Sequence, residues 1–237
     1  MSNTIENVLI LQGGGSLGAF GCGVFKALAN SNIKIDIIAG TSIGGLNAAI
    51  MASSKEDHPE KALEQFWLEV AEGNNANLNS PFTEGLAGYP TPTPAVTPLP
   101  LAPPSSITSH SAITHILQVK SLISFYSSAI YGNEKVFIPR WRPEFAFTDP
   151  QYNTPNKRTY LYDHSPLVKT AEKYIDYNKL RPNGKPNARL IITAVNVLTA
   201  EPLIFDSSKQ QITSKHILAT TGYPAYYFQW VEVEKGV

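Results

Sequence analysis

The chain of 237 residues has one cysteine, Cys22, so no internal disulfide can form and nothing in it asks for an oxidising compartment. It lacks an excess of charge of either sign, because 19 Lys and Arg balance 19 Asp and Glu. A partner held mainly by phosphate neutralisation, such as nucleic acid, is therefore not expected. It lacks any uncharged apolar run of about 20 residues, the length a spanning helix needs. Residues 1–6 lack the basic stretch that opens a cleavable signal. With 43% hydrophobic and 16% charged residues it is no disordered chain. What remains is a globular protein, expected to be cytoplasmic, whose length suits a single domain over 1–237 with a sizeable core.

Val8, Leu9, Ile10 and Leu11 form a continuous apolar run stopped by Gly13, Gly14 and Gly15, as a strand buried on both faces of a parallel sheet would read. Residues 16–29 read as a helix with Val24, Phe25 and Leu28 on its apolar face. A second strand is expected at 35–39, followed by a helix at 46–52. Strand, helix, strand, helix within about fifty residues is a βαβ unit, which predicts an α/β fold with a parallel sheet. A helix is expected over 59–71, with Pro59 in its first turn and Leu63, Phe66, Trp67 and Val70 at helical spacing. Residues 81–104 are expected to be a proline-rich loop insertion; the stretch from Tyr89 to Pro104 carries seven prolines and no charge. Beyond it, 113–131 reads as a helix and 132–160 as aromatic, proline-containing loop. Ser165-Pro166 opens a helix expected to reach about Tyr177. Strands are expected at 189–197 and, paired with it, 203–205. Thr213 should cap a short helix to about Thr220, and 231–234 should begin a further strand.

Two glycine motifs carry the chemistry. Gly13-Gly14-Gly15-Ser16-Leu17-Gly18 lies between strand and helix, where amides unobstructed by side chains meet the positive end of a helix dipole. Such a nest suits a phosphate, or an oxyanion that develops during a reaction. Gly13, Gly15 and Gly18 also satisfy G-x-G-x-x-G, the dinucleotide fingerprint. However, Asp36, the candidate ribose-binding acid, stands near the start of the second strand rather than at its end. The second motif, Gly40-Thr41-Ser42-Ile43-Gly44, is G-x-S-x-G at a strand-to-helix turn, the nucleophile elbow. Small residues at Gly40 and Gly44 permit the tight turn that lifts a serine hydroxyl above a sheet. Together the motifs predict Ser42 as a nucleophile beside an oxyanion hole.

With VLILQGGGSLGAF, AGTSIGGLNAAI, DHSPL, ITAVNVLTAEPLIFDS and KHILATTGYPAYYF followed by VEVEKG, the chain resembles the patatin-like phospholipases, or lipid acyl hydrolases. The resemblance covers the chain apart from its proline-rich and aromatic middle. It implies a three-layer α/β/α fold with a mainly parallel central sheet, and metal-free, cofactor-free hydrolysis of phospholipid acyl esters by a Ser–Asp dyad. Ser42 would be the nucleophile, and Gly13, Gly14 and Gly15 the oxyanion-hole glycines, with the Ser16 amide a further donor. The partners implied are a lipid acyl-ester substrate and a peripheral contact with a membrane surface. Two features depart from the family pattern. Leu17 stands where the family often has Arg or Lys. None of Asp36, Asp57, Asp149, Asp163, Asp176 and Asp206 is followed by glycine, whereas the family's catalytic aspartate opens an Asp-Gly pair. In relatives that pair follows shortly after the segment VEVEKGV resembles. The catalytic aspartate is thus expected beyond Val237, and the 237 residues alone are expected to be inactive.

The same residues offer other candidates. A triad in the order Ser42, Asp163 or Asp206, then His216 exists on paper. His216 lies at a helix start, and His58, His110 and His115 flank prolines or the proline-rich stretch. No set of residues has the spacing of metal ligands. Tyr223, Tyr226, Tyr227, Phe228 and Trp230 either pack a core or line an acyl-chain pocket. The alternatives to a hydrolase are a non-catalytic lipid- or partner-binding module and a dinucleotide-binding protein using Gly13, Gly15 and Gly18.

Overall fold

A computed structural model describes residues 5–78, 132–141, 160–223 and 228–233. The expected helix at 113–131 and the proline-rich insertion at 81–104 lie outside the described residues.

A four-stranded sheet organises the chain in the order β1 (Val8–Leu11), β2 (Ile37–Thr41), β5 (Arg189–Val195), β6 (Pro202–Asp206). β1, β2 and β5 run parallel, with Leu11 level with Gly40 and Thr41 level with Thr193. β6 returns antiparallel on β5. A separate two-stranded ladder joins β3 (Ile138–Pro139), inside the span 132–160 read as loop, to β4 (Tyr162–Asp163) just beyond it. The α/β class and mainly parallel sheet expected from the sequence are thus present.

The helices are α1 (Gly18–Asn30, entered through a 3-10 turn at Gly15–Leu17), α2 (Ile43–Ser53), α3 (Pro59–Leu78), α4 (Ser165–Ala171) and α5 (Ser214–Thr221). α2 is apolar on all sides, as a helix enclosed on all sides should be; every residue from Gly44 to Ser53 is buried. It packs on β2 and β5 with α1, α3 and α5 around it. The crossovers β1–α1–β2 and β2–α2–…–β5 both step the same way along the sheet, so right-handed connections place their helices on one face. That face carries Ile38, Leu190, Ile192 and Phe205, all in the core.

The opposite sheet face is open among the described residues: Ile10 is 77% exposed, Ile204 67% and Val195 61%. Among the described residues β1 is thus covered on one face only, whereas its apolar run reads as a strand buried on both faces. Four other expectations change. β2 is shifted two residues towards its C-terminus, because the amides of Asp36 and Ile37 donate instead to the Asn7 carbonyl. α4 stops at Ala171 rather than near Tyr177, because the end of α2 engages the backbone there: Lys55 N–H donates to Tyr174 O and Asp176 N–H to Ser53 O. Residues 231–233 form no strand. α3 continues past residue 71 to Leu78.

Candidate active site

The C-terminal ends of β1 and β2 each run into a helix, and the two glycine motifs fill those turns side by side. Ser42 sits at φ 56°, ψ −129°, as the residue preceding α2. This is backbone that L-residues rarely adopt, at a cost of about 1–3 kcal/mol that the surroundings must offset. Two close approaches explain the flanking glycines. A Cβ on Gly40 would lie 2.3 Å from the Gly44 carbonyl oxygen, and one on Gly44 would lie 2.4 Å from the Leu11 carbonyl oxygen. The second contact presses the start of α2 against the end of β1, fixing the elbow against the glycine loop.

The loop itself turns on Gly14 (φ 146°) and Gly15 (φ 56°). Its first residue faces the serine: a Cβ on Gly13 would be 3.1 Å from Ser42 Cβ and 3.7 Å from Ser42 Oγ. Gly15 and Ser16 open a helical turn, so their amides are donors without intrahelical acceptors. The Ser42 side chain makes no capping bond to the helix it starts. Ser42 therefore meets Gly13 at the positive end of α2, with unspent amides in the adjoining loop.

Side chains not singled out in the sequence hold this arrangement. Ser42 N–H donates to Thr220 Oγ1 (2.9 Å), and the Thr220 hydroxyl donates to Thr193 O (2.6 Å). Thr41 Oγ1 and Thr193 Oγ1 share a hydrogen bond of 2.5 Å. On the other flank, buried Asn47 donates to Gly18 O (2.8 Å) and accepts from Trp67 Nε1 (3.1 Å), tying the end of the glycine motif to α2 and α3. Asn47 left a trace in the sequence, as a lone amide inside an apolar helix. Thr220 left none.

The rival constellations do not assemble. Asp206 is buried at the other end of β5, level with Ile191, where it accepts from Arg189 and from Ser208. The Arg189 guanidinium holds its carboxyl well below the usual carboxylate range. Asp163 caps the start of α4 by accepting from the Ser165 amide and hydroxyl. His216 completes a capping box with Thr213, its Nε2 lies 3.3 Å from Gln210 Nε2, and it packs edge-on against Phe205. It is a first-turn residue, though buried. His58 is exposed and pairs with Glu60, while His110 and His115 lie outside the described residues. Asp36 accepts from the Asn7 amide and pairs with Lys34, at the end of β2 opposite the glycine loop. Among the described strands the order also shows no reversal at β1, whereas dinucleotides bind where the order reverses. Of the aromatic cluster, Phe228 packs on Phe137, Tyr162 and His164, whereas Tyr223 and Trp230 are exposed. Tyr226 and Tyr227 lie outside the described residues.

A strained serine between a parallel strand and a buried helix, faced by a glycine loop, is the geometry of the nucleophile-elbow α/β proteins. Within that class the chain belongs to the patatin-like phospholipase family, whose model matches residues 9–236. Curated relatives resemble shorter stretches. Lysophospholipase nte1 of Aspergillus terreus is 49% identical over 51 residues, which is 22% of this chain and 3% of that protein. Patatin-like phospholipase domain-containing protein 7 of Mus musculus is 36% identical over 61 residues, 26% of this chain and 4% of that protein. A patatin-like phospholipase domain-containing protein of Coccidioides immitis is 40% identical over 62 residues, 26% and 8% of the two chains. The matched segments are thus a small part of much longer relatives.

Proposed function

We propose that the chain is the acyl-hydrolase domain of a lipid esterase, with Ser42 as nucleophile and fatty-acyl esters of phospholipids or related lipids as substrates. The observation that carries this reading is the strained elbow at Ser42, set against Gly13 with its hydroxyl not spent on capping. Attack of Ser42 Oγ on the ester carbonyl forms a tetrahedral intermediate. The amides of the Gly13, Gly14, Gly15 loop hold its oxyanion, and the positive end of α2 favours the same charge. Collapse releases the alcohol and leaves an acyl-serine, which water hydrolyses. Loss of one oxyanion donor lowers the rate by about 10² or more.

The base in this reading is an aspartate. No Asp-Gly pair occurs among the 237 residues, and Asp36, Asp163 and Asp206 are engaged by the Asn7 amide, Ser165 and Arg189 respectively. We therefore place the dyad's second member outside these residues, which makes the 237-residue chain by itself inactive. Leu17 and Phe20, 76% and 80% exposed just after the glycine nest, supply an apolar contact for a lipid surface. The contact proposed is peripheral; no described helix is long and apolar enough to cross a membrane. The free thiol of Cys22 suits the cytoplasmic setting proposed with it.

The test uses a fluorophosphonate label and p-nitrophenyl ester hydrolysis, on the 237-residue chain, on a version extended past Val237, and on Ser42→Ala of each. Labelling and turnover by the extended protein, abolished by Ser42→Ala, are expected. An extended protein that binds lipid vesicles without labelling or turnover would instead be a non-catalytic lipid-binding module.

A further inference from the structure

We propose that Thr220 is a positioning residue for the Ser42 nucleophile, acting through the Ser42 main-chain amide; this rests on the assignment of Ser42 as nucleophile. Ser42 is held in its strained conformation from both sides. On its C-terminal side its carbonyl accepts from Gly45 N–H (2.9 Å) and Leu46 N–H (3.2 Å), the first bonds of α2. On its N-terminal side the amide has an acceptor from outside the turn, Thr220 Oγ1 at 2.9 Å. Rotation of the Thr41–Ser42 peptide towards a relaxed φ would break that bond.

The Thr220 hydroxyl is oriented for the task. Its proton goes to Thr193 O at 2.6 Å, which turns an oxygen lone pair towards the Ser42 amide. Thr193 is the β5 residue level with Thr41, so the relay ties the elbow to the neighbouring strand as well as to α5. The Thr220 side chain packs over Gly45, where a Cβ would stand 3.1 Å from it, so the glycine leaves the space the threonine occupies. Thr220 is buried, so water cannot readily replace its oxygen. One consequence concerns the oxyanion: an amide already bonded to Thr220 is not a donor for it. The donors that remain are the amides of the glycine loop and the first amides of α2.

The experiment compares Thr220→Val, Thr220→Ser and the neighbouring Thr221→Val in the extended, active protein. Active sites are counted by fluorophosphonate titration, and Ser42 amide hydrogen exchange is followed in parallel. Valine keeps the shape and removes the acceptor. It should lower kcat per titrated site by about ten- to a hundredfold, as expected when a reacting group is slightly misplaced, with KM changed by less than about twofold. Serine restores the acceptor and should recover most of kcat. Thr221, whose hydroxyl bonds Ile217 O within its own helix, should be indifferent. Exchange of the Ser42 amide should accelerate in Thr220→Val alone. Three results overturn the proposal: an unchanged kcat per site in Thr220→Val, a loss confined to the number of titratable sites, or a serine variant as impaired as valine. If the unsubstituted protein neither labels nor turns over while the exchange difference appears, the nucleophile assignment fails and the bond is only a structural hold.

Discussion

Replacing Gly44 by alanine probes the contact that seats the elbow against the glycine loop. The added methyl would stand 2.4 Å from Leu11 O and 2.7 Å from Gln12 O. Both are main-chain atoms, at the end of a strand and the entry to the loop, so neither can swing aside as a side chain would. Reaching the 3.0 Å below which Cβ contacts are essentially absent needs a displacement of about 0.6 Å between α2 and β1. Overpacking of this kind costs about 1–3 kcal/mol, and the rigid neighbours here argue for the upper end. The same displacement separates Ser42 from Gly13, and misplacement near 1 Å can lower a rate by about 10². Urea unfolding followed by tryptophan fluorescence reads the first effect, and the second-order rate of fluorophosphonate labelling reads the second. Gly23→Ala is the internal control. It lies in α1 with nothing within 4 Å of the added Cβ, so it should stabilise the protein by about 0.5–1 kcal/mol through helix propensity. A Gly44→Ala protein that unfolds at the unchanged urea concentration and labels at the unchanged rate would refute the reasoning.

Three further outcomes follow from groups away from the nucleophile. Burial holds the His164 imidazole below its ordinary value, against the opposing pull of the Leu218 carbonyl and Asp163, and its Nε2 has no hydrogen-bond partner among the described residues. The unfolded chain then takes up this proton first, so His164 contributes stability above about pH 6.5 that is lost as the pH falls through its lower folded pKa; Tm should drop more steeply from pH 7.5 to 5.5 than in His164→Gln. Asp206→Asn should lower stability at pH 7 by about 1–3 kcal/mol in urea unfolding, because Arg189 and Ser208 lose a charged acceptor. Its folded pKa is lowered, so the difference between variant and parent should shrink as the pH falls below about 4. Burial, with Glu64 nearby, pushes the Cys22 thiol up, so its alkylation by iodoacetamide at pH 7.5 should be slower than that of a free cysteine peptide, with unfolding restoring the rate.

Most of what could be read ahead lies in segments whose neighbours in space are also neighbours in sequence. The run Val8 to Leu11, the glycines that stop it, and the turn around Ser42 each carry their structure locally, in apolar continuity and missing side chains. The same locality explains the misreadings. Whether β1 is covered on one face or two depends on what packs beside it, which an apolar run does not encode. The early end of α4 depends on the Ser53 and Lys55 backbone, more than a hundred positions earlier in the chain. Thr220 reads as an ordinary helix-end residue, since its role exists only where α5 docks on α2 and β5. The pairing of Asp206 with Arg189 excludes it from a triad, and this could have been anticipated, because both lie on the two strands of one hairpin.

The bond from Ser42 to Thr220 spans 178 positions, and the Thr41–Thr193 pair spans 152. On a ribosome adding about 5–20 residues per second, roughly 10–35 s pass between synthesis of the elbow and synthesis of its brace. During that interval α2 can form on the first two strands, but the strained serine has nothing to hold its amide. The geometry at Ser42 therefore waits for α5, and a nascent chain carries its serine in an unarmed state until that helix has docked.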